Sequence, residues 1–253
     1  KIITPQEEVD ECVAVCPQKC DTGLYEGCLD ECNLECDTIT AHADRVAFIE
    51  FDYIHDDAIS STQADGLIVY GELDVATPRY RTWNESNNFT TEQTNARSLG
   101  TDGTDDITWV VTKGNHERNE IIMGTEDKSN DVNIQIYNAS GTTWGNLLEV
   151  SADVPNSAFR SFDIAYEDIS GEALIVYENS STADTVIPYR IWNGTRYSAE
   201  ETLVTGLASG VINWVSLAPR AGTDDLMLLI HNDLNDIHAF YWNGSGFDTT
   251  VRK

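Results

Sequence analysis

Basic residues are scarce in this chain. Lysine and arginine together number 15 against 43 aspartates and glutamates in 253 residues, a formal net charge of −28. Binding to a phosphate backbone needs a clustered basic patch, and these cations are scattered, so nucleic acid is excluded as a partner. Long apolar runs are missing as well: no stretch of about 18 consecutive apolar residues exists, and no membrane-spanning helix is expected. Catalytic signatures are absent. The histidines (His42, His55, His116, His231 and His238) form no H-E-x-x-H pair, and there is no G-x-S-x-G, no P-loop and no G-x-G-x-x-G. His231 and His238 read as surface residues near strand ends. Among so many acids no carboxylate pair is singled out for glycoside hydrolysis. These absences point to a protein that is not an enzyme.

With 41% hydrophobic residues and six tryptophans, the chain can bury a substantial core. The acidic surplus reads as a solvated, self-repelling coat. Short acidic clusters at 52–57, 102–106, 223–225 and 232–236 read as turns between strands. Calcium held by them is the sharper alternative, although none has the EF-hand spacing, and no other cofactor is expected.

Cysteine is absent beyond residue 36. All six (Cys12, Cys16, Cys20, Cys28, Cys32 and Cys36) fall in two C-x3-C-x3-C stripes. A step of four keeps side chains on one helical face, and Asp21-Thr22-Gly23 supplies a turn between the stripes. Folded antiparallel, the two halves nest as Cys20–Cys28, Cys16–Cys32 and Cys12–Cys36. Pro17 interrupts the first stripe and would kink a helix there. Zinc is the competing use of clustered cysteines, but C-x2-C spacing and a nearby histidine are lacking. Disulfides imply an oxidising compartment, hence an extracellular or cell-surface protein. The start at Lys1, without a methionine or apolar leader, reads as a processed mature chain. The C-x3-C…C-x3-C pattern resembles the α-hairpinin type of disulfide-stapled mini-fold.

From about residue 44 the chain repeats. Apolar runs appear as GLIVYGE (66–72), EIIMGTE (120–126), ALIVYEN (173–179) and LMLLIHN (226–232), and their second residues, 67, 121, 174 and 227, recur every 53 or 54 positions. Each is preceded by an alternating strand (48–53, 107–112, 161–167, 212–218) and followed by one ending in aromatic-Asn (80–84, 134–138, 189–193, 239–243). A further aromatic follows at Phe89, Trp144, Tyr197 and Phe247. Four short strands per repeat of roughly 50 residues is the signature of a β-propeller blade. The expectation is a mainly β chain: a disulfide-stapled helical hairpin over 1–40, then a four-bladed β-propeller over 44–253, with blades at about 44–99, 100–155, 156–207 and 208–253. A two-sheet sandwich fits the strand count but gives no reason for the period. Asn and Gly in the aromatic turn should supply positive φ, while the flanking aromatics pack between neighbouring blades.

That turn phrase resembles the aromatic hairpin turns of propeller repeat families. Residues 137–145, YNASGTTWG, look somewhat like the Asp-box of sialidase-type propellers, but the aspartate is absent and no catalytic role is carried over. Arg79, Arg81 and Arg190 recur beside the third-strand tryptophans and read as strand-surface or cation–π residues.

All four aromatic turns are N-x-[ST] sequons (Asn84, Asn138, Asn193 and Asn243), and Asn88 and Asn179 add two more. Hairpin turns select these residue types in any case, so turn chemistry and N-glycosylation both fit. The resulting expectation is a secreted glycoprotein that builds an extracellular layer, matrix or filament from copies of itself, its N-terminal hairpin docking on a neighbour's propeller. The alternative is a carbohydrate-binding propeller in which Trp83, Tyr137, Trp192 and Trp242 stack on sugars. A hydrolase of extracellular glycans is the third reading.

Overall fold

The runs rich in Leu, Ile, Val and Tyr lack helical periodicity and are closed off by Gly, Asn and Asp, so they fold as strands. The computed structural model describes residues 49–54, 64–72, 75–85, 88–94, 96, 106–115, 117–155, 158–179, 186–205 and 211–252. The chain divides into two compact units, Lys1–Ala47 and Phe48–Lys253. The expected hairpin and its three disulfides fall in the first unit and lie outside the described residues.

In the second unit, sixteen strands form four four-stranded antiparallel sheets, each a meander in chain order. Sheet I comprises β1 (Ile49–Tyr53), β2 (Gly66–Glu72), β3 (Val75–Asn84) and β4 (Asn88–Phe89). Sheet II comprises β5 (Ile107–Gly114), β6 (Glu120–Asp127), β7 (Val132–Asn138) and β8 (Thr143–Ser151). Sheet III comprises β9 (Phe162–Tyr166), β10 (Ala173–Tyr177), β11 (Val186–Trp192) and β12 (Glu201–Val204). Sheet IV comprises β13 (Ile212–Pro219), β14 (Asp225–Asn232), β15 (Ile237–Asn243) and β16 (Phe247–Arg252). Each sheet is one of the repeats read from the sequence. No helix occurs among the described residues.

Successive sheets are joined by three buried cores. Leu67, Val69 and Tyr80 of sheet I pack on Ile121, Met123, Tyr137 and Trp144 of sheet II. The other face of sheet II, with Ile122, Ile134 and Ile136, meets Phe162, Ile164, Ile175 and Trp192 of sheet III. Leu174, Val176 and Tyr189 of sheet III then meet Leu226, Leu228, Phe240 and Trp242 of sheet IV. Sheets II and III are thus buried on both faces, which explains their near-continuous apolar second strands. Among the described residues no buried core joins sheet IV to sheet I, the fourth contact that a closed ring of four would need.

Strands β1 and β5 come close together at Gly114. Its amide donates to Asp52 Oδ2 at 2.9 Å, and a Cβ there would lie 1.9 Å from the Tyr53 carbonyl oxygen. Gly114→Ala is therefore expected to push sheets I and II apart and cost about 1–3 kcal/mol. A denaturant midpoint unchanged in that variant would contradict the close approach.

The pairing register differs from the alignment of apolar runs. Opposite the third-strand aromatic sit Gly66, Ile121, Ala173 and Leu226, so sheets I, III and IV each pair one position before the aligned residues 67, 174 and 227, while sheet II pairs at the aligned Ile121. A shift of one residue moves a side chain to the other face. The aromatic must face the preceding sheet, and that requirement rather than apolar content sets the register.

Candidate functional site

In sheets II, III and IV the third-strand aromatic and its follower form a couple: Tyr137–Trp144 at 5.2 Å, Trp192–Tyr197 at 4.9 Å and Trp242–Phe247 at 5.1 Å between ring centroids. The couples lie against the preceding sheet, and Tyr80 and Tyr189 receive the first and last of them edge-on at 5.3–5.9 Å. Tyr137, Trp192 and Trp242 are 1% exposed, so none of these rings has an open face for a sugar, while Trp83 is half-buried. Their burial fits the expected packing between neighbouring units.

The asparagines of the turns act through their side chains. Asn138 Oδ1 accepts the Gly141 amide, Asn193 Oδ1 those of Thr195 and Arg196, and Asn243 Oδ1 those of Ser245 and Gly246. Positive φ falls on Gly194 and Gly244, and among the sequon asparagines described only on Asn88. The expected sharing of positive φ between Asn and Gly is thus corrected: Gly takes the strained conformation, and Asn satisfies the amides of the turn. Asn88, Asn138, Asn193 and Asn243 are exposed, whereas Asn84 and Asn179 are half-buried.

Buried carboxylates tie the sheets together. Glu120 of sheet II accepts Trp192 Nε1–H at 3.0 Å and the Tyr166 hydroxyl at 3.1 Å, both from sheet III. Arg118 Nε donates to the same oxygen at 3.0 Å. Glu167, just beyond β9, accepts the Trp242 indole N–H of sheet IV. Asp163 of β9 accepts the Leu217 amide of β13 at 2.7 Å and pairs with Arg160 at the same distance. Burial is the main cause that raises the pKa values of Asp163 and Glu167. These acids are hydrogen-bonded structural groups. The sequence offered little sign of them, because the cross-sheet donors stand more than 40 residues from their acceptors.

Several expected roles change. His238 is buried on the face of β15 that meets sheet III, because its register partner is Ile230. The cation–π contact belongs to Arg160, 4.8 Å from the Trp214 ring centroid. Arg79 instead pairs with Glu72 at 2.6 Å, and Arg190 donates to the Tyr177 hydroxyl at 3.2 Å and the Ser198 carbonyl at 2.9 Å. Of the acidic clusters, Asp224 caps the turn of sheet III by accepting the amides of Ile169 and Ser170, and Asn232 Oδ1 closes its own turn onto Asp236. Among the described residues no three His, Cys, Asp or Glu side chains converge as metal ligands.

Two cavities lie among the described residues. One, of about 230 Å³, draws on the first strands of all four sheets, with Asp52, Lys113, Gly114, Ala165, Tyr166, Leu217 and Pro219. The other, of about 190 Å³, opens between sheets I and II and is lined by Tyr80, Thr82, Thr90, Gln93, Tyr137 and Thr142. The strands present this lining for clear reasons. Tyr80 and Thr82 alternate on the face of β3 toward sheet II. Thr90 follows β4 and locks onto Thr82 through paired bonds of 2.9 and 3.0 Å. Gln93 is held beside Tyr80 by two backbone bonds of 2.8 and 3.2 Å. Thr142 comes from the β7–β8 turn, with φ of 50°. Burial, and secondarily Tyr80, pushes the Tyr137 hydroxyl up to about 12, so it stays neutral. The cleft is an aromatic floor with a hydroxyl and amide rim and no charged lining group. Sequence reasoning missed all of it except Tyr137; the Thr- and Gln-rich segment 90–94 after the first turn was the available signal.

No protein-family model matches the chain, and no curated protein matches it. Solved structures do. The BP39L lectin from Burkholderia pseudomallei is similar over 80% of this chain and 54% of its own, at 8% identity and a TM-score of 0.53. The Aleuria aurantia lectin, described as a six-bladed β-propeller with a novel fucose recognition mode, covers 74% of this chain and 55% of its own at 10% identity and a TM-score of 0.46. An exo-β-1,3-galactanase from Phanerochaete chrysosporium covers 80% and 50%, at 10% identity and a TM-score of 0.43. The chain spans about half the length of these neighbours. At such identities the likeness speaks to fold alone, and that fold is propeller-like: four sheets of the blade type, stacked in chain order.

Proposed function

We propose that this chain is a carbohydrate-binding protein whose cleft between sheets I and II takes a neutral sugar. The observation that carries the reading is the lining of that cleft. Buried Tyr80 and Tyr137 close its floor, and Thr82, Thr90, Gln93 and Thr142 supply neutral donors and acceptors suited to a ring of hydroxyls. Neutral hydrogen bonding without a buried charge fits an uncharged sugar and disfavours an anion, which would lose its hydration with no cation to compensate. The cleft lining holds no carboxylate pair, so the chemistry offered there is binding and not hydrolysis. The lectin neighbour supports this expectation over the building-block one. The same reading takes the chain as an extracellular protein carrying N-glycans at its exposed turn asparagines, with any disulfides confined to the cysteine segment.

A glycan array with the full chain tests it. Saturable binding of fucosides or galactosides is expected. The combined variant Thr82→Val, Gln93→Leu, Thr142→Ala should weaken it by roughly tenfold or more, the loss of about one to two hydrogen bonds. Its thermal midpoint should stay close to that of the unaltered chain. Binding that survives the triple variant intact, or an array with no saturable signal, would sink the reading.

A further inference from the structure

We propose that the outer faces of sheets I and IV are the two halves of one sheet-to-sheet interface, completed head-to-tail by a second copy of this chain. The inference is independent of sugar binding. It starts from a position that each sheet repeats. In sheets II, III and IV the aromatic couple is buried against the sheet before it. In sheet I the matching pair is Trp83 and Phe89, opposite each other on β3 and β4. No sheet precedes them among the described residues, and Phe89 is 46% exposed.

The rest of that face follows the register. Ile49, Phe51 and Tyr53 of β1 share it with Ile68 and Tyr70 of β2 and with Arg79, Arg81 and Trp83 of β3. Ile49 is 58% and Tyr53 56% exposed. Its aromatics are already ordered among themselves, with Phe51–Tyr53, Phe51–Phe89 and Tyr53–Trp83 edge contacts at 5.0–6.3 Å. At the other end, sheet IV turns Met227, Leu229, Ile237 and Tyr241 outward, with Leu229 40% exposed. This is the face type that sheets I, II and III each use to receive the next sheet's aromatics.

Apolar faces of this extent are uncommon on a single soluble chain and mark contacts. The occupant is a copy of the chain because each face is complementary to the other and not to itself. One presents the projecting aromatic couple, and the other presents the receiving face, with small Ala239 where sheets I and III place Tyr80 and Tyr189. Both faces also carry charges that are already paired within the chain: on sheet I Arg79 meets Glu72 at 2.6 Å and Arg81 lies beside the Tyr70 hydroxyl that Glu92 accepts. On sheet IV Asp225, on the same side as Met227, meets Arg220 at 3.2 Å, and Asp248 stands opposite Tyr241 on the neighbouring strand. Asp225 also ends the first hairpin of its sheet where Glu120 ends that of sheet II, and Glu120 holds the indole of the incoming Trp192. Trp83 of a second copy would meet Asp225 in the same way. Such a contact is heterologous, so it either closes a ring of copies or propagates.

Light scattering on the full chain tests this, over a range of concentration and at low and high salt. Masses that are multiples of 28.1 kDa, before any glycan mass, are expected, favoured by salt because the copies repel. Phe89→Glu and Leu229→Glu each block one face at a side chain already exposed, so each should give a monomer with an unchanged melting temperature. Mixed one to one, the two variants should form a dimer, because each retains the face the other has lost. A monomer at every concentration and salt overturns the proposal. So does assembly that persists in both variants, or a mixture that stays monomeric. Faces that become available only when residues 1–47 are removed would assign them to that segment and also overturn it.

Discussion

Replacing Glu126 by glutamine is expected to remove a large part of the pH dependence of stability between about pH 5 and pH 8. Glu126 closes β6 and is fully buried between sheets II and III. Burial raises its pKa from 4.5 to about 8, against a smaller opposing pull from the Ser161 hydroxyl and amide at 2.8 and 3.2 Å. The folded chain therefore holds a proton that the unfolded chain releases. Stability from this group is fully present below the unfolded value near 4.5 and declines as pH rises through about 8. The slope approaches about 1.4 kcal/mol per pH unit within that window. Glutamine matches the protonated acid in size and hydrogen bonding and cannot ionise. In denaturant titrations the advantage of Glu126→Gln should grow steadily from pH 5 to pH 8. Contributions from Glu50, Asp163 and Glu167, all raised chiefly by burial, run the same way in both chains and cancel in the difference. A constant offset at every pH would show that Glu126 ionises as an ordinary carboxylate.

Trp192→Ala is expected to lower stability by about 3–5 kcal/mol, because it empties a large volume in a core closed on all sides. For a unit of this size that corresponds to a fall of roughly 10 °C in Tm. The indole is 1% exposed, lies across from Ala173 and touches Tyr197 at 4.9 Å. Its loss also removes the Nε1–H bond to Glu120, leaving that buried carboxylate to Arg118 and Tyr166. Trp192→Phe keeps most of the ring and forfeits the bond, so it should cost about 1–3 kcal/mol. Sugar binding, measured below the new Tm, should survive both changes. Stability unchanged in Trp192→Ala together with lost binding would instead make this ring a ligand platform.

Much of the architecture was legible along the chain. The second strand of sheet I runs over Gly66–Glu72, the bounds of its apolar run, and β13 begins at Ile212 where the alternation begins. Local pattern suffices there, since a strand with turn residues at both ends has little alternative. The alignment placed sheet II one position out of step with the other three because Ile121 and Ile122 are both apolar, and only the partner Tyr137 marks Ile121 as the match of Gly66, Ala173 and Leu226. The cleft was legible only at Tyr137. Tyr80, Gln93 and Thr142 come from three separate segments, and nothing local marks them as neighbours.

By itself, then, the amino-acid sequence determined the repeat, the strands within it, the aromatic turns and the strongly acidic character. These follow from side-chain periodicity and turn chemistry, which act over a few residues. Only the tertiary structure decided which faces are buried, which carboxylates become cross-sheet acceptors and which are left outside. Glu120 with Trp192 and Glu167 with Trp242 are 72 and 75 residues apart, so their meeting depends on how whole sheets stack. The same stacking leaves Phe89 exposed while its counterpart Trp144 is buried. The two aromatics occupy one place in the repeat, and the presence or absence of a preceding sheet separates them.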